Sequence, residues 1–416
     1  MSTTNMKKIK VAVLGATGMV GQRMIQRLSG HPFFEVAYLG ASSRSAGKPY
    51  KYATQWRLEG RCPKFIKDLP VQDCSKIKLA ISDSSSDIFE DIPIVFSALD
   101  SKVAGDIEDA VIQLAKKNDR LVYIISNASN FRMHKNVPLL IPEVNPHHLE
   151  VVQNKKQAII TNPNCCAIPF SLALAPLQEK YGIKSVCVST YQAVSGAGYP
   201  GESAWDMVGN VHPHSGNEEE KLETEPLKIL GSLKDQINKE DQSNNFVPHS
   251  MKISARCVRV PTADGHLLGL QIQMVSPPLL ENTSEKNTSE KKSKSKFTAD
   301  SIDIYAIKKT LSEWKGHRDF VRTPSTPSPI LEIHDNRDRP SPRFDSNLGD
   351  SIDFPHLSSG MAVSIGRIEH CPIMGVKLFA LAHNTIRGAA GAAIANAELL
   401  VAKDFFPSDN TVKEQP

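Results

Sequence analysis

The chain has no CxxC pair, and its seven cysteines are an odd number, so a disulfide framework fits it poorly. Zinc is equally unsupported, because the adjacent Cys165 and Cys166 suit a tetrahedral site badly. No apolar run reaches the roughly 18 residues of a membrane span. The most apolar stretch, Ala167–Leu177, is short and broken by Pro169 and Pro176. The amino terminus lacks the apolar core of a signal peptide. Charge is nearly balanced: a net +4 over 416 residues does not call for nucleic acid, although it suits anionic substrates. The expectation is a reduced, cytoplasmic protein with no metal, no membrane contact and no nucleic-acid partner.

The residues that are present describe an ordinary globular chain, 40% hydrophobic and 23% charged. Its length exceeds what one small core accommodates, so two domains are expected. Lys8–Leu14 is a β-type run ending at Gly15, and a helical pattern then continues through Leu28. A second strand is expected at Phe34–Ala41, and further apolar runs at Ile92–Ala98 and Leu121–Ser126 bracket a helix over Lys102–Lys117. Strands alternating with helices predict a parallel, doubly wound, Rossmann-like sheet over residues 1–160.

Past residue 160 the pattern changes. A helix at about Ile168–Tyr181 precedes strand-like runs at Ser185–Tyr191, Arg256–Val260, Leu268–Val275 and Ala362–Glu369. Fewer intervening helices predict a mixed sheet and an α+β second domain over 161–379. The alanine-rich Ala389–Lys403 helix, within a terminal segment of about 380–416, is expected to pack back on the first domain. Between these, Asn282–Lys286 is repeated directly as Asn287–Lys291 and followed by Lys-Ser-Lys-Ser-Lys. So polar a stretch buries too little apolar surface to order itself, and 279–297 is expected to be a flexible insertion.

Gly15, Gly18 and Gly21 lie where a strand turns into a helix. Glycines there permit the tight turn and the approach of backbone to a pyrophosphate, so dinucleotide binding is expected. NAD-binding units commonly end their second strand in a carboxylate that bonds the ribose hydroxyls. Here that strand ends in Ser42, Ser43, Arg44 and Ser45, a set suited to a 2′-phosphate. NADP is therefore favoured.

Thr161-Asn-Pro-Asn-Cys165-Cys166 delivers a thiol to the start of a predicted helix. Amides at a helix start carry partial positive charge and favour the thiolate, the reactive form of cysteine. A thiol that adds to a carbonyl needs a proton-transfer group and something to hold the substrate. Arg259 and His266 stand seven residues apart in one cluster: the first could fork onto a carboxylate, and the second could accept a proton. Gln192 ends a strand beside a small-residue turn, while Arg132 and Lys221 are cations suited to phosphate. Lys221 closes an acidic run, where a solvated helix face is the plainer reading.

Taken together, GATGMVGQR, SNASNFRM, NPNCC, YQAVSGAG, EEEKLETEPLKIL, RVPTADGH and HNTIRGAAGA resemble the aspartate-semialdehyde dehydrogenase family, in the branch shared by archaea and fungi. The similarity runs from Lys8 to about Lys403, apart from 279–297. It implies NADPH-dependent reduction of L-aspartyl-4-phosphate to L-aspartate 4-semialdehyde with release of phosphate, on the route to lysine, methionine, threonine and isoleucine. By motif, Cys165 would be the nucleophile, His266 the acid/base and Gln192 the group positioning the acyl moiety. Arg259 would hold the α-carboxylate, and Arg132 and Lys221 the phosphate, with Asn164 and an acidic partner, Glu218 or Glu219, beside them. Cofactor contacts would come from Gly15, Thr17, Gly18, Met19 and Val20, from Ser42–Ser45, from Ser97 and Ala98, from Ser195 and Gly196, and from Asn384. Such enzymes are homodimers or homotetramers built through the second domain. The rival readings are a malonyl-CoA reductase, an N-acetyl-glutamyl-phosphate reductase and a regulator that binds NADP without catalysis.

Overall fold

The computed structural model describes residues 7–82, 88–237, 244–280, 301–350 and 353–406. The polar insertion expected at 279–297 therefore lies outside the described residues, save Leu279 and Leu280. In the first half β1 (Ile9–Leu14), β2 (Phe34–Ala41), β3 (Val71–Asp73), β4 (Ile94–Ser97), β5 (Val122–Ser126) and β6 (Gln157–Thr161) form one sheet in the order β3-β2-β1-β4-β5-β6. Every pairing in it is parallel. Each residue of β4 and β5 is buried, because apolar clusters cover both faces of the sheet. Continuous Val/Ile/Phe runs are what such a two-sided burial requires.

The second half holds β7 (Ile183–Gln192), a two-stranded ribbon of β8 (Ser232–Leu233) and β9 (Phe246–Val247), then β10 (Lys252–Arg259), β11 (His266–Met274), β12 (Leu331–His334), β13 (Val363–Cys371) and β14 (Gly375–Ala382). The six longer strands join as β10-β7-β11-β14-β13-β12, a mixed sheet with parallel pairs at its two edges and antiparallel pairs between. One face packs on the Ala167–Tyr181 and Ile304–Glu313 helices. The other is open, so β7 alternates between buried residues and exposed ones such as Cys187 and Tyr191. Its β-branched residues made this strand readable from sequence, and Val186, Val188 and Thr190 are the ones that it buries.

The Ala167–Tyr181 helix is apolar nearly all round and sits in the middle of the second core. At the carboxyl end a single π turn, Ile386–Ala390, leads into the Gly391–Ala402 helix. Ala393, Ile394, Ala397 and Leu400 of that helix enter the core of the first sheet, as expected of the alanine-rich segment. Arg387 anchors the turn through two buried bonds to Glu143, at 2.9 and 2.7 Å.

Two ends of two sheets converge. The glycine loop, the Ser42–Ser45 turn, Ala98 and Asn127 all follow carboxyl ends of first-sheet strands, the edge where open parallel sheets bind ligands. In the second sheet Gln192 pairs with Arg259 and His266 with Ala382, so the ends of β7, β10 and β14 and the start of β11 share one edge.

Candidate active site

The turn after β6 is held from several sides. The Asn162 amide donates to the Ser126 carbonyl at 2.7 Å, and its side chain donates to Asn127 Oδ1 and the Ala389 carbonyl. Asn164 Oδ1 accepts from the Cys166 amide at 2.8 Å, and the Asn164 carbonyl accepts from Ile168 at 3.1 Å. The helix begins at Ala167 with Cys166 as its cap, so Cys165 stands one residue before the cap. A Cβ on Gly388 would lie 2.7 Å from the Cys165 Cβ and 3.0 Å from its Cα. The carboxyl-terminal turn thus presses bare backbone against the thiol-bearing residue.

The sulfurs of Cys165 and Cys166 and a ring nitrogen of His266 lie within 4.8 Å of one another. Cys165 is partly exposed, and its thiol is held well below its ordinary range. The largest cause is the hydrogen bond from Cys166; burial opposes it, and His266 adds to the lowering. Cys166 is fully buried and is pushed well above the ordinary range, first by that burial. Within the adjacent pair, only Cys165 is poised to ionise.

His266 is fully buried, and its Nδ1 accepts the Ala193 amide at 3.0 Å. A ring nitrogen that accepts an N–H carries no proton itself, so the neutral imidazole holds its proton on Nε2. Nε2 has no hydrogen-bonding nitrogen or oxygen partner among the described residues. His266 favours the Cys165 thiolate first by its charge and then by a hydrogen bond to the sulfur. A Cβ on Gly196 would meet His266 Nε2 at 2.9 Å and Arg259 Nη1 at 2.8 Å, so that loop also needs a bare backbone.

Cations gather around this pair. Arg259 is buried and donates from Nη1 to Gln192 Oε1 at 3.0 Å and the Ala193 carbonyl at 3.1 Å, and from Nη2 to Ser215 Oγ at 2.6 Å. Its Nε meets Glu202 at 3.3 Å. Glu218 opens the Glu218–Ile229 helix and accepts from Asn164 Nδ2 and Lys221 Nζ, each at 2.8 Å. Burial works against its ionisation, but Lys221 and Asn164 outweigh that and lower its pKa. Glu219 turns the other way, onto the Cys257 amide and Arg256 of β10. Of the two acids left open by sequence, it is Glu218 that reaches Asn164 and Lys221. A cleft of about 630 Å³ is lined by Arg259, Glu218, Lys221, Glu202, Ser215 and His212 among others. Arg132 is buried alongside, donating to Glu225 at 3.0 Å and to the Asn127 carbonyl at 2.6 Å.

A second cleft, of about 650 Å³, runs from Met19 of the glycine loop past Arg23, Thr262, Asp264 and His383 to Ser195. Gly15 has φ +77°, and a Cβ there would stand 2.4 Å from the Ala98 carbonyl oxygen. Gly21 is as tight, with its missing Cβ 2.2 Å from the Gly15 carbonyl oxygen. Gly18 is exposed at the cap of the Met19–Leu28 helix, leaving its first amides approachable by an anion. Ser42, Ser43 and Arg44 are exposed on the neighbouring turn. Two expected cofactor residues are placed differently from their companions. Ser97 is fully buried inside the sheet. Asn384 is buried and already engaged, accepting from the Gly265 amide at 2.9 Å and donating to Ser195 Oγ at 2.8 Å. It braces the Ser195 loop.

Models of two semialdehyde dehydrogenase domains match this chain, the NAD binding domain over residues 10–152 and the dimerisation domain over 174–387. The chain belongs to the semialdehyde dehydrogenase family. It is 39% identical to the aspartate-semialdehyde dehydrogenase of Candida albicans over 411 residues, covering 95% of this chain and 99% of that one. It is 38% identical to the Methanothermobacter thermautotrophicus enzyme of the same name, covering 94% and 99%. The crystal structure of the Candida albicans enzyme with NADP superposes with a TM-score of 0.76 at 36% identity, covering 96% of this chain and all of that one. Among the described residues of this semialdehyde dehydrogenase, no helix is long and apolar enough to cross a membrane.

Two residues near the thiol of this family member, Gly388 and Glu225, carry no local sequence signal of their place, and neither does Glu202, which meets Arg259. Gly388 lies inside HNTIRGAAGA, where a glycine between arginine and alanine reads as an ordinary helix weakness. Its position against Cys165 predicts that Gly388→Ala displaces the thiol turn. The expected result is a loss of turnover of about tenfold or more, since small misplacements of reacting groups are costly. Steady-state rates alongside a thermal melt check this; unchanged turnover would show that the turn yields without moving the sulfur.

Proposed function

We propose that this chain catalyses the NADPH-dependent reductive dephosphorylation of L-aspartyl-4-phosphate to L-aspartate 4-semialdehyde, with Cys165 as nucleophile. The observation that carries the residue assignment is the partly exposed thiol, lowered in pKa, beside a buried His266, with Arg259 and Lys221 lining a cleft nearby and Arg132 joined to the Asn164 turn through Glu225.

Arg259 holds the substrate α-carboxylate, for which a guanidinium offers paired donors. Arg132 and Lys221 bind the acyl phosphate, and Glu218 keeps Lys221 and Asn164 in place. Gln192, ordered by Arg259, orients the acyl group. The Cys165 sulfur attacks the acyl carbon, the bond from that carbon to the phosphate oxygen breaks, and phosphate leaves with the electron pair. The product is a thioester on Cys165, which divides one hard step into two easier ones. NADPH, when bound, supplies the hydride that reduces this thioester carbon. The resulting oxyanion collapses to the aldehyde and returns the Cys165 thiolate. His266 holds the acid/base proton at Nε2, facing the sulfur. The amides of Asn164 and Cys166 are committed to Glu225 and Asn164 Oδ1, so neither of those two serves the oxyanion.

The cofactor fits the bare glycine backbone, with Gly15, Thr17, Gly18, Met19, Val20 and Ala98 at the pyrophosphate, Ser42–Ser45 at the 2′-phosphate, and Ser195 and Gly196 toward the reacting end. Ser97 and Asn384 complete this set, both from buried positions, with Asn384 bonded to Ser195. Residues 1–160 with the carboxyl-terminal helix form the cofactor domain, and 161–379 the catalytic and dimerisation domain. The active form is a cytoplasmic homodimer or homotetramer assembled through the second domain. The test is NADP⁺ reduction with L-aspartate semialdehyde, with and without phosphate, and with NAD⁺ as alternative cofactor. Turnover that needs phosphate and prefers NADP⁺ is expected; folded protein without it would overturn the reading.

A further inference from the structure

Glu225 lies two helical turns beyond Glu218 on the Glu218–Ile229 helix and is 2% exposed. Its two carboxylate oxygens serve two different elements. Oε1 accepts from Arg132 Nη1 at 3.0 Å, and Oε2 accepts from the backbone amide of Asn164 at 2.6 Å. Asn164 immediately precedes Cys165, so one rigid group joins a guanidinium at the phosphate position to the turn that carries the sulfur. Arg132 Nη2 is taken by the Asn127 carbonyl at 2.6 Å, while its buried Nε has no partner among the described residues. Each end of the guanidinium fork is therefore gripped by one bond, which leaves a second N–H on each Nη and the one on Nε for an anion.

The same helix also holds the segment carrying Arg132. Lys228 Nζ, one turn further on, donates to the carbonyls of Arg132, His134 and Val137 at 2.8, 2.7 and 2.8 Å. Burial lowers the Lys228 pKa to about 7, and the three carbonyls offset this by using all three N–H of the ammonium form. Burial likewise pushes the Glu225 carboxyl up, against the pull of Arg132 and the Asn164 amide. A carboxylate kept in such a place is explained by what it holds.

We infer that Glu225 is a positioning residue for the reaction, setting the distance and angle between the phosphate-binding guanidinium of Arg132 and the Cys165 turn. This rests on the proposal that Arg132 binds the phosphate. Displacement at the acyl carbon needs sulfur and leaving group held in a near-attack geometry, and a misplacement of about 1 Å is worth roughly a hundredfold in rate. The sign of the effect on phosphate separates positioning from simple charge. A carboxylate beside an anion-binding arginine weakens the pull on an anion, so removal of its charge alone would lower the KM for phosphate. Loss of orientation raises it.

The experiment is steady-state oxidation of L-aspartate semialdehyde by the full chain with phosphate varied, comparing wild type, E225Q, E225D and R132K. Glutamine keeps one acceptor and turns a donor toward either Arg132 or the Asn164 amide. For E225Q the expected result is a KM for phosphate up by about tenfold and kcat down by about tenfold, with the KM for NADP⁺ within about twofold, each figure scaled from a partial misplacement. E225D, which restores the charge at shorter reach, should recover part of both. R132K tests the premise: if it leaves the phosphate KM unchanged, the reading of Arg132 fails. If R132K raises that KM while E225Q leaves it unchanged or lowers it, the inference about Glu225 is overturned. A parallel rise in the NADP⁺ KM would overturn it too, by showing general loosening of the fold. Should E225Q not be soluble, E225D decides with the same signs.

Discussion

Cys165→Ser is expected to reduce turnover by roughly a thousandfold or more, because a hydroxyl at neutral pH lacks the nucleophilicity of a thiolate. Cys166→Ser is expected to retain most of it. The two differ by one position in sequence and by their surroundings in the fold. Cys165 is partly exposed beside His266, and its thiol is lowered by the Cys166 hydrogen bond and then by His266. Cys166 is sealed in the second core, where burial keeps it a thiol. A serine at 166 still offers an O–H to the neighbouring sulfur, so Cys166→Ala should lower activity more than Cys166→Ser. Steady-state rates on the three variants, with mass mapping of the residue alkylated first in wild type, check the assignment. Retained activity in Cys165→Ser with loss in Cys166→Ser would move the nucleophile by one residue.

His266→Asn is expected to lose about a hundredfold or more in kcat, the usual scale for removing an acid/base group. The variant should also move the pH dependence of Cys165 alkylation. In the wild type the thiol is held below its ordinary range, so thiolate persists as pH falls and alkylation stays fast there. His266 is one of the groups that favour the anion, and its removal raises the thiol pKa. The midpoint of the alkylation profile therefore shifts to higher pH, and the deficit in rate is largest at the acid end and narrows as pH rises. A midpoint that stays where it was would show that Cys166 alone tunes the thiol.

Much of the architecture could be read along the chain. Phe34–Ala41 was expected with the bounds that the strand has, and the helix at about Ile168–Tyr181 begins one residue earlier, at Ala167. These elements announce themselves because each is a mostly apolar run of the right length, eight residues for the strand and fifteen for the helix. Others gave less warning. β3 has three residues, β12 has four, and neither carries an alternating pattern long enough to stand out. β10 begins at Lys252 and not at Arg256, since as an edge strand of the second sheet it starts with the exposed Lys252 and Ser254 interleaved with only Ile253 and Ala255.

The candidate site divides in the same way. Local chemistry pointed to the glycine loop, to a second strand ending in hydroxyls and arginine, and to a thiol at the start of a helix, because each of these is a property of a few consecutive residues. Sequence could not choose between Glu218 and Glu219, which differ only in which side of a helix they occupy. Nor could it place Gly388 against Cys165, find that Asn384 is spent on Gly265 and Ser195, or join Arg132 and Asn164 through Glu225. Those last two bonds span 93 and 61 residues. Short patterns specify how a segment folds, since backbone and side-chain preferences act over a turn or a strand. Contacts between distant segments arise only when both sheets are packed, and packing decides which polar groups remain free to meet a substrate.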